Sequence, residues 1–183
     1  PGGAEPGEPV LLTKGAATEA TGIIATDFVD ELRAADIDDS TIERAASFFE
    51  EISVLEDARA VREVATAMHD PTEGGVRAGL VELAAAADAD VVVDREAVPV
   101  RPETRTVCAA LEVDPLRIFG SGALLATVPA ELAETARMRL DEADIEVSEI
   151  GSVEPTDADT GGLVLDGERI TDAGTDQLYP YWE

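Results

Sequence analysis

The stretch "MHDPTEGGVRAGLVELAAAAD", residues 68–88, decides the fold. It begins as a turn with the chain's only histidine and two adjacent glycines, Gly74 and Gly75, and continues as an apolar segment rich in alanine. The apolar periodicity after Gly75 predicts a helix to about Ala87. A glycine inside a helix costs roughly 1 kcal/mol relative to alanine. Two glycines at this point therefore indicate that something approaches the first turn closely.

A helix that starts behind such a turn is suited to anion binding. Its first backbone N–H groups lack partners within the helix and carry partial positive charge, which favours phosphate or carboxylate. We therefore predict a ligand site at Asp70, Thr72, Gly74 and Gly75. Asp70 would orient a metal ion or a ligand hydroxyl, and Thr72 would cap the helix or contact the anion. A structural alternative stays open, in which Thr72 only caps and the glycines permit tight packing against a strand.

Strand and helix patterns alternate on both sides of this stretch. Strands are predicted at residues 10–12, 89–96 and 145–153, with a glycine-interrupted strand region at 118–128 and a hairpin at 161–171 that turns at Asp166-Gly167. Helices are predicted at 18–35, 42–52, 53–65, 100–113 and 129–144, with Ser40 or Thr41 capping the second and Ser53 with Glu56 forming a capping box for the third. Because the hairpin must be antiparallel, the pattern predicts an α+β fold. Its mixed, largely antiparallel sheet would be layered with helices rather than purely parallel and doubly wound.

Two further turns are candidate sites. In "FGSGALLA", residues 119–126, the backbone N–H groups of Gly120, Ser121 and Gly122 could form a small anion nest, although a bulge in an edge strand explains the glycines equally well. "TKGAAT" places the only lysine, Lys14, between a strand and a helix. It does not fit the phosphate-binding loop pattern GxxxxGK[ST], and placement of Lys14 on the surface is the simpler account.

The charge balance is the strongest signal of the composition. Forty Asp and Glu residues oppose thirteen Lys and Arg residues, which gives a net charge of −27 spread over every predicted element. Such acidity resembles that of proteins from salt-loving organisms, in which concentrated salt screens the repulsion. Disorder is disfavoured because 45% of the residues are hydrophobic and the periodicity is clear. Non-specific nucleic-acid binding is disfavoured as a function because phosphate backbones require a basic surface, and we expect no nucleic-acid partner.

Several other chemistries are disfavoured by what the sequence contains. No apolar run approaches the roughly 20 residues that span a bilayer, and the first residues lack the pattern of a signal peptide, so we expect a cytoplasmic protein. Cys108 lies at apolar helical spacing and is predicted to be a core residue rather than a nucleophile. A single histidine and a single cysteine do not make a zinc site, and we assign no metal ligands. His69 is a candidate proton carrier near neutral pH.

The motifs taken in order resemble a known protein family, although no single motif is sufficient to indicate it. "GGAEPGEPVLLTKGAATEATGIIA", "MHDPTEGGVRAGLVELA" and "VVVDREAVPVRPETRTVCAALEVDPLRIFGSGALLATVP" follow one another along the chain. Together they resemble the C-terminal domain of the aminoimidazole ribonucleotide (AIR) synthase superfamily. Within it, they are most similar to the branch that contains the hydrogenase-maturation protein which dehydrates a carbamoyl group to cyanide. The resemblance covers about residues 2–130, with a looser match to the end.

The resemblance implies a two-domain, ATP-dependent enzyme. In this superfamily the N-terminal domain forms a dimeric β-barrel core with most of the ATP and Mg²⁺ contacts, and the C-terminal α+β domain closes the nucleotide cleft. ATP phosphorylates an amide-type oxygen, which then becomes a leaving group. The resemblance places Asp70, Thr72, Gly74 and Gly75 near the nucleotide phosphates, and Gly120, Ser121 and Gly122 on the adjoining wall. It implies ATP and Mg²⁺ as cofactors, a nucleotide and a small molecule as ligands, and a homodimer in the full-length protein.

The same resemblance predicts the organisation of the chain. Residues 1–9 would be a linker from a missing N-terminal ATP-binding domain, residues 10–175 the AIR-synthase-like domain, and residues 176–183 an aromatic tail. Without the N-terminal half this segment alone is expected to be inactive, and no catalytic residue is assigned. The chain ends "QLYPYWE" and lacks the terminal cysteine of the cyanide-forming branch. Two alternatives therefore stay open: a non-catalytic binding or regulatory relative, or a dimerisation module anchored by Tyr179, Tyr181 and Trp182.

Overall fold

The structure is a computed structural model that describes residues 3–182. Its strands are β1 Pro9–Thr13, β2 Ala67–His69, β3 Asp90–Val93, β4 Leu125–Thr127, β5 Val147–Glu154, β6 Leu163–Leu165 and β7 Glu168–Ile170. Its α-helices are α1 Thr18–Asp27, α2 Val29–Ala34, α3 Asp39–Ala46, α4 Leu55–Val61, α5 Gly75–Ala87, α6 Pro102–Ala110 and α7 Ala133–Glu142. Short 3₁₀ helices occupy Ser47–Glu51, Arg95–Ala97, Ala130–Leu132 and Tyr179–Trp182. Within residues 3–182, none of the helices has both the length and the apolar character needed to cross a membrane.

The seven strands form one mixed sheet in the order β2-β4-β1-β5-β3-β6-β7. Every pairing of neighbouring strands is antiparallel except that of β3 with β6, which is parallel. The predicted hairpin is present, and Asp166 and Gly167 at its turn both have positive φ, as a tight two-residue turn requires. The predicted α+β class with a mixed, largely antiparallel sheet is confirmed.

The alternation of side chains along β1 divides the core between the two faces of the sheet. Val10 and Leu12 point into a cluster shared with β3, β5, β6 and helix α5, whereas Leu11 points into a second cluster with α4 and α7. A third cluster joins α1, α2, α3 and α6, and it includes Leu178 from the C-terminal tail. The fold is therefore a sheet covered on both faces, with an additional helical group beside it.

The structure corrects two predictions about the first helices. The predicted helix 18–35 is broken at Phe28, which leaves helical geometry (φ −120°) and buries its ring in the third cluster. The cap of α3 is Asp38 rather than Ser40 or Thr41, because one carboxylate accepts bonds from the Thr41 backbone N–H and from both hydroxyls. These bonds, from Ser40 and then from Thr41, lower the pKa of Asp38 to about 2.

Further corrections concern the start of α4, strand β2 and the start of α7. The capping box of Ser53 and Glu56 does not form: α4 begins without a side-chain cap, and Glu56 pairs with Arg59 instead. Strand β2 is absent from the predicted elements, since three residues beside a turn carry little periodicity. It exists because its backbone pairs with β4, with Met68 opposite Ala126. The helix predicted from Pro129 begins only at Ala133, after a 3₁₀ turn.

The first described residues pack against the sheet. Gly7 donates a backbone bond to Val153 of β5 (2.8 Å), and Val153 donates one back to Glu8 (2.8 Å). Ala4 and Glu8 are each 6% exposed. The predicted boundaries at residues 9/10 and 175/176 stay predictions, but Gly7 and Glu8 extend the pairing of β1 with β5 in this structure.

Candidate functional site

Three separate sequence motifs meet at one place in the fold. The backbone N–H of Gly120 donates to the carbonyl of Thr72 (2.9 Å), which joins the turn 119–122 to the turn 70–75. The N–H groups of Glu19 and Ala20, in the first turn of α1, donate to the carbonyls of Ser121 (3.1 Å) and Phe119 (3.2 Å). We call the residues 17–20, 70–75 and 119–122 the turn junction. The starts of α1 and α5 thus converge on the glycine turn that precedes β4.

The glycines of the turn junction are required by close packing. Gly75 has φ 65°, and a Cβ atom there would lie 2.3 Å from the carbonyl oxygen of Ile118 and 2.9 Å from that of Leu116. A Cβ at Gly120 would lie 2.8 Å from the carbonyl oxygen of Pro71. Only glycine can occupy these positions without displacing the neighbouring backbone. Tight packing, the structural alternative for the paired glycines, is therefore a feature of this fold.

Most backbone donors at the start of α5 are engaged inside the chain. Gly74 donates to the Asp176 carboxylate (2.8 Å), and Gly75 donates to the Thr72 carbonyl (3.1 Å). Arg77, one turn into the helix, donates to the carbonyl of Leu116 (2.9 Å). The sequence leads us to expect free N–H groups at this helix start, but those of Gly74 and Gly75 are engaged within the chain in this conformation. Thr72 also does not cap α5 with its side chain, because Gly74 at the cap position has φ 72° and the helix start has no side-chain cap.

Within the described range, the turn junction keeps unengaged donors at Thr72, at Glu73 and at its other glycine turn. Over residues 3–182, no hydrogen bond within the chain engages the backbone N–H groups of Ser121 and Gly122 or the hydroxyl of Ser121. Asp70 and Thr72 are exposed beside this turn, while Gly74, Gly75, Gly120 and Gly122 are buried. The seven predicted site residues thus come together: Asp70 and Thr72 are exposed, Ser121 is half-buried, and the four glycines are buried and shape the backbone.

Carboxylates dominate the electrostatics of the turn junction. Asp176 is 3% exposed, and its burial raises its pKa even though Leu178 and Gly74 both donate backbone bonds to it. The charges of Glu73 and Glu19 raise that pKa further. The hydrogen bond to Glu73, together with desolvation, raises the pKa of Tyr179 to about 12. An anion that enters this surface therefore meets negative charge as well as backbone donors.

Sequence reasoning missed Asp176, which lies 102 residues from Gly74 along the chain. Nothing in "GTDQLYPYWE" distinguishes this aspartate from the other acidic residues. Its role follows only from the docking of the tail. Leu178 is fully buried, and the ring of Tyr179 packs edge-on against Phe119 of the turn junction (centroids 5.5 Å apart).

Lys14 and Cys108 have structural surroundings. The prediction that Lys14 lies on the surface is wrong: its ammonium pairs with the buried Asp57 (3.1 Å) and donates to the carbonyl of Ser53 (2.7 Å). Thr13 donates its hydroxyl to the same carboxylate (2.6 Å), so this network ties β1 to α4. Cys108 is 2% exposed, and burial raises its pKa to about 12, which confirms it as a core residue.

His69 lies on β2, and its Nε2 atom is 2.6 Å from the Glu82 carboxylate on α5. This contact ties the strand to the helix at a side chain that is 21% exposed. Within the described range 3–182, no group of three or more His, Cys, Asp or Glu residues is arranged to hold a metal ion.

The chain belongs to the family of AIR synthase related proteins, as their C-terminal domain, since residues 5–163 match that family. The match contains all three parts of the turn junction. It ends before β7 and before the tail that carries Asp176.

Among curated proteins, the thiamine-monophosphate kinase of Halobacterium salinarum is 30% identical over 172 residues, which cover 94% of this chain and 54% of the kinase. The carbamoyl dehydratase HypE of Rhizobium leguminosarum bv. viciae is 40% identical over 67 residues, or 37% of this chain and 19% of that protein. The solved structure of the hydrogenase maturation protein HypE in complex with ATP has the same fold. It superposes with a TM-score of 0.63 at 22% identity and covers 92% of this chain and 50% of that one. The chain therefore spans about half the length of the kinase and of the HypE structure, and a smaller part of the Rhizobium protein.

Proposed function

We propose that this chain is the cleft-closing C-terminal domain of an ATP-dependent enzyme and that the turn junction contributes contacts to the nucleotide phosphates. One observation carries the proposal: three motifs far apart in sequence converge on a surface where Ser121 and Gly122 keep unengaged backbone donors. Family membership and the ATP complex of the HypE relative support ATP as the ligand. Because the chain spans about half of its relatives, a second domain would supply the other wall of the cleft.

Within this proposal the site residues have two roles. The hydroxyls of Thr72 and Ser121 and the N–H groups of Ser121 and Gly122 would donate to phosphate oxygens, as such positioned donors do in phosphoryl transfer. Gly74, Gly75 and Gly120 would hold the two turns together. Their contribution is shape rather than direct donation.

Mg²⁺ fits this surface as a companion of the nucleotide. The turn junction carries the carboxylates of Glu19, Glu73 and Asp70, whose oxygens suit a hard cation. The described residues contain no preformed metal cluster, so the ion would arrive bridged to ATP. It would offset the repulsion between these carboxylates and the phosphates. Phosphorylation of an amide-type oxygen on a small molecule is the chemistry that we propose for the complete enzyme.

Calorimetric titration of the complete protein with ATP and Mg²⁺ tests the proposal. Ser121→Ala and Thr72→Ala each remove a hydroxyl donor of the turn junction, and each is expected to weaken ATP binding roughly tenfold, since a hydrogen bond to a charged group contributes about 1.5–3 kcal/mol. Ser152→Ala removes a hydroxyl on β5 that donates a hydrogen bond to Glu154, away from the turn junction, and it serves as the matched control. If all three variants bound ATP like the parent, the turn junction would not be the phosphate site.

A further inference from the structure

The last described residues form a strap across the turn junction. We call residues 172–182 the strap; they follow β7 and lie beyond residue 163, where the match to the family ends. Arg77 of α5 donates to the carbonyl of Ala173. Gln177 donates its backbone N–H to the Arg117 carbonyl (3.1 Å), and its side-chain oxygen accepts from the backbone N–H of Asp114 (2.7 Å).

The strap is also held by apolar contacts. Leu178 is fully buried in the third cluster. The ring of Tyr181 packs edge-on against Phe28 (5.6 Å between centroids), and Trp182 packs against Phe28 (5.7 Å) and Phe119 (6.2 Å). Tyr181 and Trp182 nevertheless stay 43% and 47% exposed. The strap is thus docked by one buried leucine and by half-exposed aromatic rings, an arrangement that can detach without opening the sheet.

The polar centre of the strap is a carboxylate placed at the start of α5. Asp176 accepts from the backbone N–H of Gly74 (2.8 Å) with one oxygen and from that of Leu178 (2.9 Å) with the other. It is buried beside Glu73 and Glu19, two groups of its own charge. An ionised side chain in this position is costly unless a strong donor stabilises it. Its geometry is that of an anion bound at a helix start.

We propose that the strap is autoinhibitory: Asp176 occupies the position at Gly74 that a nucleotide phosphoryl group takes once the strap detaches. The inference rests on the proposed function and explains why the predicted donor at Gly74 is engaged in this conformation. With the strap docked, the donors of Ser121 and Gly122 are open, whereas the N–H of Gly74 is engaged by Asp176. With the strap released, the N–H of Gly74 joins them. Phosphate and Asp176 therefore compete for one donor.

The test uses Asp176→Asn in the complete protein, with Asp157→Asn as the control that removes one exposed charge in the loop 155–160. Asparagine keeps the size of the side chain, so the fold is retained, but it forms a weaker bond to Gly74. ATP with Mg²⁺ is titrated by calorimetry. The weaker bond should leave fewer molecules with the strap docked. Because the docked strap lowers the apparent affinity for ATP, that affinity is expected to rise roughly tenfold to a hundredfold in Asp176→Asn. Asp157→Asn should stay within about twofold of the parent.

A second readout follows the strap itself. Trp182 is the only tryptophan of this chain. The complete protein is therefore used with any tryptophan outside this chain replaced by phenylalanine, so that the fluorescence reports the strap alone. Adding ATP to the parent should increase quenching of Trp182 by acrylamide, since the strap leaves. Unchanged ATP affinity in Asp176→Asn, weaker binding in it, or unchanged Trp182 quenching with ATP bound would each overturn the inference while leaving the proposed function intact. If the parent and both variants fail to bind ATP, the proposed function fails and the inference fails with it.

Discussion

Replacing Gly75 by alanine should destabilise the domain in two ways, through its positive φ and through the contact of the new Cβ with neighbouring backbone. The residue has φ 65°, which costs an L-residue about 1–2 kcal/mol. The new Cβ would lie 2.3 Å from the Ile118 carbonyl oxygen and 2.9 Å from that of Leu116, so the two turns must separate. Forced overpacking of this kind costs about 1–3 kcal/mol. The free energy of unfolding should therefore fall by about 2–5 kcal/mol in Gly75→Ala.

Gly167→Ala is the matched control for this prediction. Gly167 also has positive φ (80°), but no atom lies within 4 Å of the position that a Cβ would take there, so only the backbone penalty applies. Both changes restrict the unfolded chain equally, and that contribution cancels. Urea unfolding in molar salt, followed by circular dichroism at about 222 nm, measures both variants. If Gly75→Ala cost no more than Gly167→Ala, the interlocking of the two turns would be refuted.

Three further predictions concern the core and the charges. Cys108 should react with a thiol reagent only after unfolding, because burial raises its pKa to about 12; rapid labelling of the folded chain would contradict this. Asp57→Asn should cost about 3 kcal/mol by leaving a lysine ammonium without its buried partner, whereas Glu56→Gln, at an exposed pair, should cost under about 0.5 kcal/mol in the same urea assay. Asp38 has a pKa lowered to about 2, so its contribution to stability is present above its ordinary pKa and is lost as pH falls through 2; Asp38→Ala should flatten this part of the acid-unfolding curve, and an unchanged curve would contradict the cap.

The net charge makes a prediction for the whole domain. The chain has forty acidic residues and only thirteen basic ones, so its carboxylates repel one another in the folded state. Dissolved salt screens that repulsion. Circular dichroism should show a transition midpoint in urea that rises from low to molar salt. A midpoint that is independent of salt would argue against adaptation to concentrated salt.

Local sequence patterns were sufficient to predict those elements whose structure depends only on neighbouring residues. The valines of β3 and the turn at Asp166-Gly167 are explained by residue type alone, and so is the start of α6 at Pro102. The helix break at Phe28 was not predictable in this way. Its ring is drawn into a cluster whose members come from distant parts of the chain.

The residues of the turn junction could be selected from the sequence, but their hydrogen-bond partners could not. Glycine pairs indicate close approach, and the contacts of Gly75 and Gly120 bear this out. Whether the approaching group is a ligand or the chain itself depends on long-range pairing. Asp176 reaches Gly74 across 102 residues, and Thr72 contributes its carbonyl rather than its hydroxyl. Neither contact has a signature in the local sequence.

The central claim is that nucleotide phosphates reach the turn junction. Amide NMR of the complete, ¹⁵N-labelled protein tests it most directly, because the backbone N–H groups of Ser121 and Gly122 can be observed during a titration with ATP and Mg²⁺. We predict that these two resonances shift and saturate together with the binding measured by calorimetry. If ATP bound while both resonances stayed in place, the phosphates would lie elsewhere and the claim would be wrong.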